Sequence, residues 1–143
     1  MANVRILIVD ERRSQVGLIQ AVLQRDGYEV YMATDGTEGL EEARRIKPHV
    51  AIVNAVLPGM SGYEVCRQLK SDPVTAKTAV LMLVASSEVE GEALSSERIA
   101  AEVRNRLRAF DVGALDLITE PVKATDLSKR VKTLLWSGGI GEL

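Results

Sequence analysis

Aromatic side chains are almost missing from this chain: one Trp, three Tyr and one Phe make up 3% of its 143 residues. A core of ordinary size must therefore be aliphatic, built from Leu, Val, Ile and Ala. Cys66 is the single cysteine, which excludes a disulfide framework and fits a reducing compartment. His49 is the single histidine, so neither a His-based triad nor a zinc cluster can be assembled within one chain. No apolar run reaches the roughly 18 residues of a membrane span. The first residues enter a strand pattern almost at once, leaving no room for a signal peptide, and the expected location is the cytoplasm. There is no basic block: net charge is -2, which disfavours direct nucleic-acid binding, since a phosphate backbone needs a cationic face.

What remains is ordinary for one globular domain, 46% hydrophobic and 27% charged. The pattern alternates strand and helix. "VRILIVD" is a short buried-strand run ending at Asp10, and Ser14 is a candidate cap for a helix with Val16, Ile19, Val22 and Leu23 on one face. Gly27 stops that helix, and "YEVYMAT" alternates as a strand at a sheet edge. Asp35–Gly36 reads as turn chemistry before "TEGLEEARRI", with Leu40, Ala43 and Ile46 on one face and Pro48 beyond its end. "HVAIVNAVL" is a third strand, apolar on both faces, and Pro58–Gly59 turns the chain toward a helix carrying Tyr63, Cys66 and Leu69. "AVLMLVA" and "ALDLIT" supply the fourth and fifth strands. The last helix runs from about Thr125 to Trp136, with Thr125 or Asp126 as its cap. Residues 1–136 form one domain, and 137–143 are expected to be a flexible tail or the start of a linker.

Strands alternating with helices predict an α/β fold, a doubly wound parallel sheet covered on both faces. A flavodoxin-like order, 2-1-3-4-5, brings the ends of strands one and three together, and with them Asp10 and Asn54. Cys66 is expected to be a small buried hydrophobe, and His49 a structural residue at the opposite end of the sheet.

In this order, "RILIVDER", "VLPGMSGYEVCRQLK" and "GALDLITEP" resemble the receiver domain of bacterial two-component response regulators over essentially the whole chain. The resemblance implies a set of site positions. An acidic pair that holds magnesium corresponds to Asp10 and Glu11, with a backbone carbonyl supplied at Val56. The phosphate-accepting aspartate corresponds to Asn54. The switch hydroxyl after the fourth strand corresponds to Val84, the switch aromatic to Leu117, and the lysine before a proline to Glu120.

Each departure matters chemically. An amide is a far poorer nucleophile than a carboxylate. Valine has no hydrogen to donate to a phosphoryl oxygen. Glutamate for lysine reverses a charge, and unit charges about 4 Å apart at an effective dielectric near 20 interact by roughly 4 kcal/mol. The resemblance therefore implies a pseudo-receiver, not an enzyme, with no required cofactor.

Two readings of the acidic group stand side by side. Asp10, Glu11 and the Val56 carbonyl would bind magnesium or calcium weakly, with Glu120 added to the cluster. Alternatively, the acids merely cap their loop and pair with Arg12 or Arg13. The loop "DERRSQ" lacks the glycines of a phosphate cradle, which argues against a nucleotide or flavin site.

The segment from Ser86 to Gly113 is roughly a dozen residues longer than the receiver pattern. Ser87 with Glu90 fits a capping box, so either a helix begins near Ser87, or a loop containing Gly91 precedes one starting near Ser96. Ile99, Val103, Leu107 and Phe110 share one helical face, while Arg98, Arg104, Arg106 and Arg108 occupy the rest. The resemblance makes this helix, with strand five and helix five, the expected contact surface for protein partners or a homodimer. The competing functions are a working phosphorelay regulator with non-standard phosphorylation and an ion- or small-ligand-sensing domain.

Overall fold

A computed structural model describes residues 3–85 and 95–137. The elements alternate along the chain: β1 (Arg5–Val9), α1 (Arg13–Arg25), β2 (Glu29–Ala33), α2 (Gly36–Ile46), β3 (Val50–Asn54), α3 (Gly62–Ser71), β4 (Ala79–Val84), α4 (Ser95–Asp111), β5 (Asp116–Thr119) and α5 (Ala124–Ser137). All strand pairs are parallel and the order is β2-β1-β3-β4-β5, the flavodoxin-like arrangement.

Period-two alternation divides each central strand between two cores. Leu7, Val9, Ala51, Val53, Val80 and Met82 face one cluster, completed by Ala43, Cys66 and Leu69 from α2 and α3. Ile6, Ile8, Val50, Ile52, Leu81 and Leu83 face the other, completed by Ile19 and Leu23 of α1 and Leu127 and Val131 of α5. Because β1, β3 and β4 are covered on both sides, they are apolar apart from Arg5 and Asn54 at strand ends, whereas β2 at the edge leaves Met32 exposed.

Helix starts differ from expectation at α1, α2 and α5. Helix α1 begins at Arg13, and its N-cap Arg12 makes no side-chain capping bond, so Ser14 lies inside the first turn. Asp35 is not simply a turn residue but the N-cap of α2, accepting from the Glu38 N–H at 2.8 Å. Helix α5 starts at Ala124, which puts Thr125 and Asp126 within the helix, and Asp126 instead pairs with Arg130 at 3.0 Å. Ser61 caps α3 by accepting from Glu64 N–H.

Ser86, Ser87, Glu90 and Gly91, and with them the choice between an extended helix and a preceding loop, lie outside the described residues, as does most of the expected tail. Among the described residues no helix is long and apolar enough to cross a membrane.

Candidate functional site: an arginine-filled pocket at the ends of β1 and β3

Parallel register places Val9 opposite Val53, so the next residues, Asp10 and Asn54, emerge side by side at the carboxyl end of the sheet. Both are buried, at 2% and 5% exposure. The backbone around them is pinned to neighbouring strands: Asp10 N–H donates to Ala33 O at 3.0 Å, Ala55 N–H to Leu83 O at 2.9 Å, and Glu120 N–H to Val84 O at 2.8 Å. The β3–α3 loop closes by a backbone bond from Gly62 to Ala55 O at 2.9 Å. That approach demands glycine, because a Cβ on residue 62 would stand 2.0 Å from Asn54 O.

The Asn54 amide is used at both ends. Its Nδ2 donates to Asp10 Oδ1 at 3.2 Å, and its Oδ1 accepts from Val56 N–H at 3.1 Å. The amide satisfies both partners, whereas an ionised carboxylate would face Asp10 without a proton to donate.

Asp10 is gripped by Arg12. Oδ1 accepts from Arg12 N–H and Nε at 3.0 Å each, and Oδ2 from Nη2 at 2.8 Å. This is the two-toothed guanidinium–carboxylate fork, the strongest form of such a pair. The same Nη2 lies 2.7 Å from Glu120 Oε2, so one guanidinium bridges the β1–α1 loop and the segment after β5. Glu120 does not turn away to solvent. The carboxylate of Asp10, and then that of Glu120, hold the Arg12 guanidinium above its usual pKa despite partial burial.

Val84 ends β4, 6% exposed, and Leu117 in β5 is buried in the cluster beneath α2 and α3. Neither side chain offers a hydrogen bond. Glu11 is exposed and, with Asp10, Arg13 and Thr34, lines a depression of about 250 Å³. Val56 is 72% exposed at the loop surface.

The donor set does not fit a divalent ion in this arrangement. Both Asp10 oxygens are already satisfied by a cation, and among the described residues no three acidic, His or Cys side chains come together as a metal group. Of the two sequence readings of the acids, Asp10 paired with Arg12 is the one present. Arg12 as a bridge to Glu120 is what the sequence reading missed. Its signal was the pairing of two anomalies, an arginine two residues after Asp10 and an acid at a position expected to be basic.

In α4, Arg104 and Arg106 are exposed on the same helix as Arg98, but Arg108 is engaged: its guanidinium sits 4.0 Å over the Tyr63 ring. Arg108 is thus a brace between α4 and α3 before it is a contact residue. The helix is mounted with small residues inward. Ala109 is buried and Ala101 and Asn105 are half-buried, while Ile99, Val103, Leu107 and Phe110 face outward, Ile99 at 59% exposure. Cys66 is fully buried, its thiol pushed up to about 11 by burial. His49 precedes β3 at the opposite end of the sheet, where Nδ1 accepts from Arg5 N–H at 3.0 Å.

Residues 6–132 match the family described as the response regulator receiver domain. Among relatives, Response regulator PleD of Caulobacter vibrioides is 33% identical over 132 residues, covering 92% of this chain but 26% of PleD. Protein PilH of Pseudomonas aeruginosa is 30% identical over 131 residues, 92% of this chain and 97% of PilH. The chain thus spans about a quarter of one relative and nearly all of another. A crystal structure of a putative response regulator from Chloroflexus aurantiacus superposes with a TM-score of 0.80 at 28% identity, covering 94% of this chain and 99% of that one.

Proposed function

The chain belongs to the response regulator receiver family of two-component signalling, and from that premise we propose a pseudo-receiver that signals without phosphorylation, through protein contacts. The observation that carries this reading is the Asn54 amide, held between Asp10 and Val56 where the fold presents its nucleophile. Val84 supplies no hydroxyl, and Glu120 brings an anion toward the place where phosphoryl oxygens would gather. On this reading the domain catalyses no transfer and needs no cofactor. Incubation with acetyl phosphate and magnesium, followed by intact mass, tests it: the mass stays unchanged, and a stoichiometric gain of one phosphoryl group defeats the proposal.

The contact surface is the outward stripe of α4, and its occupant is a second copy of this chain. Ile99, Val103, Leu107 and Phe110 are spaced four, four and three residues apart, one continuous apolar row. Laid antiparallel on its own copy, the row sets Ile99 against Phe110 and Val103 against Leu107. The same placement sets Glu102 of each copy beside Arg106 of the other, a reciprocal ion pair. A single helix pair covers less than the roughly 800 Å² per partner of a standard interface. Self-association is therefore expected to be weak and concentration-dependent. Sedimentation equilibrium is expected to reveal a concentration-dependent dimer, and Leu107→Arg to abolish it while leaving the chain folded. A wild-type chain monomeric at millimolar concentration overturns this assignment.

A further inference from the structure

The missing nucleophile accounts for a pocket that takes no phosphate, but not for what holds that pocket together without an ion. Two loops that carry acids, Asp10 after β1 and Glu120 after β5, converge at the same end of the sheet. Their carboxylates would repel with nothing between them. Between them stands Arg12, Nη2 at 2.8 Å from Asp10 and 2.7 Å from Glu120.

We propose that Arg12 is the resident cation of this pocket, a latch that ties the β1–α1 loop to the segment leading into α5 and that competes with any divalent ion for Asp10. The inference rests on the pseudo-receiver reading and deepens it by naming how that site is kept in one state. Three features support it. The Asp10 side chain is completely buried, so it needs a permanent counter-charge. The fork engages both of its oxygens, so a divalent ion would have to displace or share the guanidinium's place on Asp10. The arginine itself is 40% exposed, so it has solvent into which it can swing and is not locked by packing.

The latch also gives the charge anomaly at position 120 a purpose. Lysine there would face Arg12 as a like charge, whereas glutamate completes the bridge. Because Glu120 is tied by its backbone to the end of β4 and lies four residues before α5, the latch joins the pocket to the elements that frame α4. A metal-free tether of this kind holds the β1–α1 loop and the segment before α5 together whatever the magnesium concentration.

The test uses the full chain and three variants: Arg12→Gln, Glu120→Gln, and Arg12→Gln with Asp10→Asn. Thermal melts are recorded against magnesium chloride from zero to about 20 mM, with sodium chloride matched for ionic strength, alongside hydrogen exchange of residues 117–123. The wild type is expected to show no magnesium-specific shift. Arg12→Gln melts lower, and magnesium restores several degrees in a saturable way that Asp10→Asn removes. Glu120→Gln leaves the Asp10 fork intact, so it raises exchange across 117–123 at least about tenfold without creating a magnesium response. Should Arg12→Gln fail to fold, Glu120→Gln still decides the tether, and the wild-type titration still decides the competition. Saturable magnesium binding by the wild type overturns the competition, and unchanged exchange in Glu120→Gln overturns the tether. Either failure leaves the missing nucleophile at Asn54 untouched, whereas phosphoryl uptake by the wild type sinks the pseudo-receiver and, with it, the latch that rests on that reading.

Discussion

Replacing Asn54 by aspartate is the change that most directly sets the pocket's chemistry against its structure. The substitution is nearly isosteric, yet it exchanges the donor 3.2 Å from Asp10 Oδ1 for an anionic oxygen. Two carboxylates about 4 Å apart repel by roughly 4 kcal/mol at an effective dielectric near 20. The lost hydrogen bond to a charged acceptor adds about 1.5–3 kcal/mol. Arg12, whose Nη2 is 2.8 Å from Asp10, offsets part of this sum, and a net destabilisation of about 2–4 kcal/mol is expected at neutral pH. With domain stabilities of about 5–15 kcal/mol the variant still folds, and its urea midpoint falls by about 1–2 M.

The pH dependence follows from the sign of the shift. The carboxyl introduced at position 54 is pushed upward in the folded state by its neighbour, so the native form keeps a proton that the unfolded chain has released. The deficit relative to wild type is therefore absent below about pH 4, the unfolded value. It grows as pH rises toward the raised value and is then constant. The variant also takes phosphate poorly from acetyl phosphate, because Val84 and Glu120 are unchanged. Adding Val84→Thr and Glu120→Lys recovers much of the uptake. Urea curves from about pH 3.5 to 8 and intact mass provide the readouts. An Asn54→Asp protein as stable as wild type at the upper end of that range refutes the electrostatic account, and full phosphorylation of the single variant refutes the roles given to Val84 and Glu120.

Two further outcomes follow from packing and burial. Gly62→Ala forces a methyl to within 2.0 Å of Asn54 O and 2.8 Å of Ala55 Cα, both backbone atoms that cannot step aside. A loss of at least about 3 kcal/mol, or failure to fold, is expected by chemical denaturation, and a wild-type midpoint would contradict the packing described. His49 titrates low because burial, and then the Arg5 charge, disfavour its cation. Its contribution to stability is complete above the unfolded value of about 6.5 and declines as pH falls below it, and His49→Gln should flatten that slope.

The fold was legible because its signals are local and repeated. Apolar runs such as Arg5–Val9 and Val50–Asn54 state their burial on both faces, and the parallel sheet follows from the helices between them. The meeting of Asp10 and Asn54 was legible from that sheet, since they lie at the ends of adjacent strands, whereas Val84, Leu117 and Glu120 were marked by the resemblance to receiver domains. What those residues touch was not. Arg12 reaches Glu120 across 108 positions of sequence, and a side-chain bridge of that span leaves no periodicity to read. The mounting of α4 was hidden for another reason. Its apolar row reads as a core face, and only the burial of Ala109, with Ala101 and Asn105 half-buried, shows that the small residues are the ones turned inward. Helix caps failed at Ser14 because hydroxyl residues are common inside first turns as well as before them.

That mounting sets how firmly α4 is moored. A helix anchored by alanine contributes little apolar area to the interior, for burial is worth about 25 cal/mol per Å² and alanine has little to give. The brace of Arg108 on Tyr63 is then one of its principal fastenings, worth about 1 kcal/mol. A helix so lightly held is expected to open at less than the cost of global unfolding. A binding partner that seizes the row of larger side chains need not pry open the interior to reorient it.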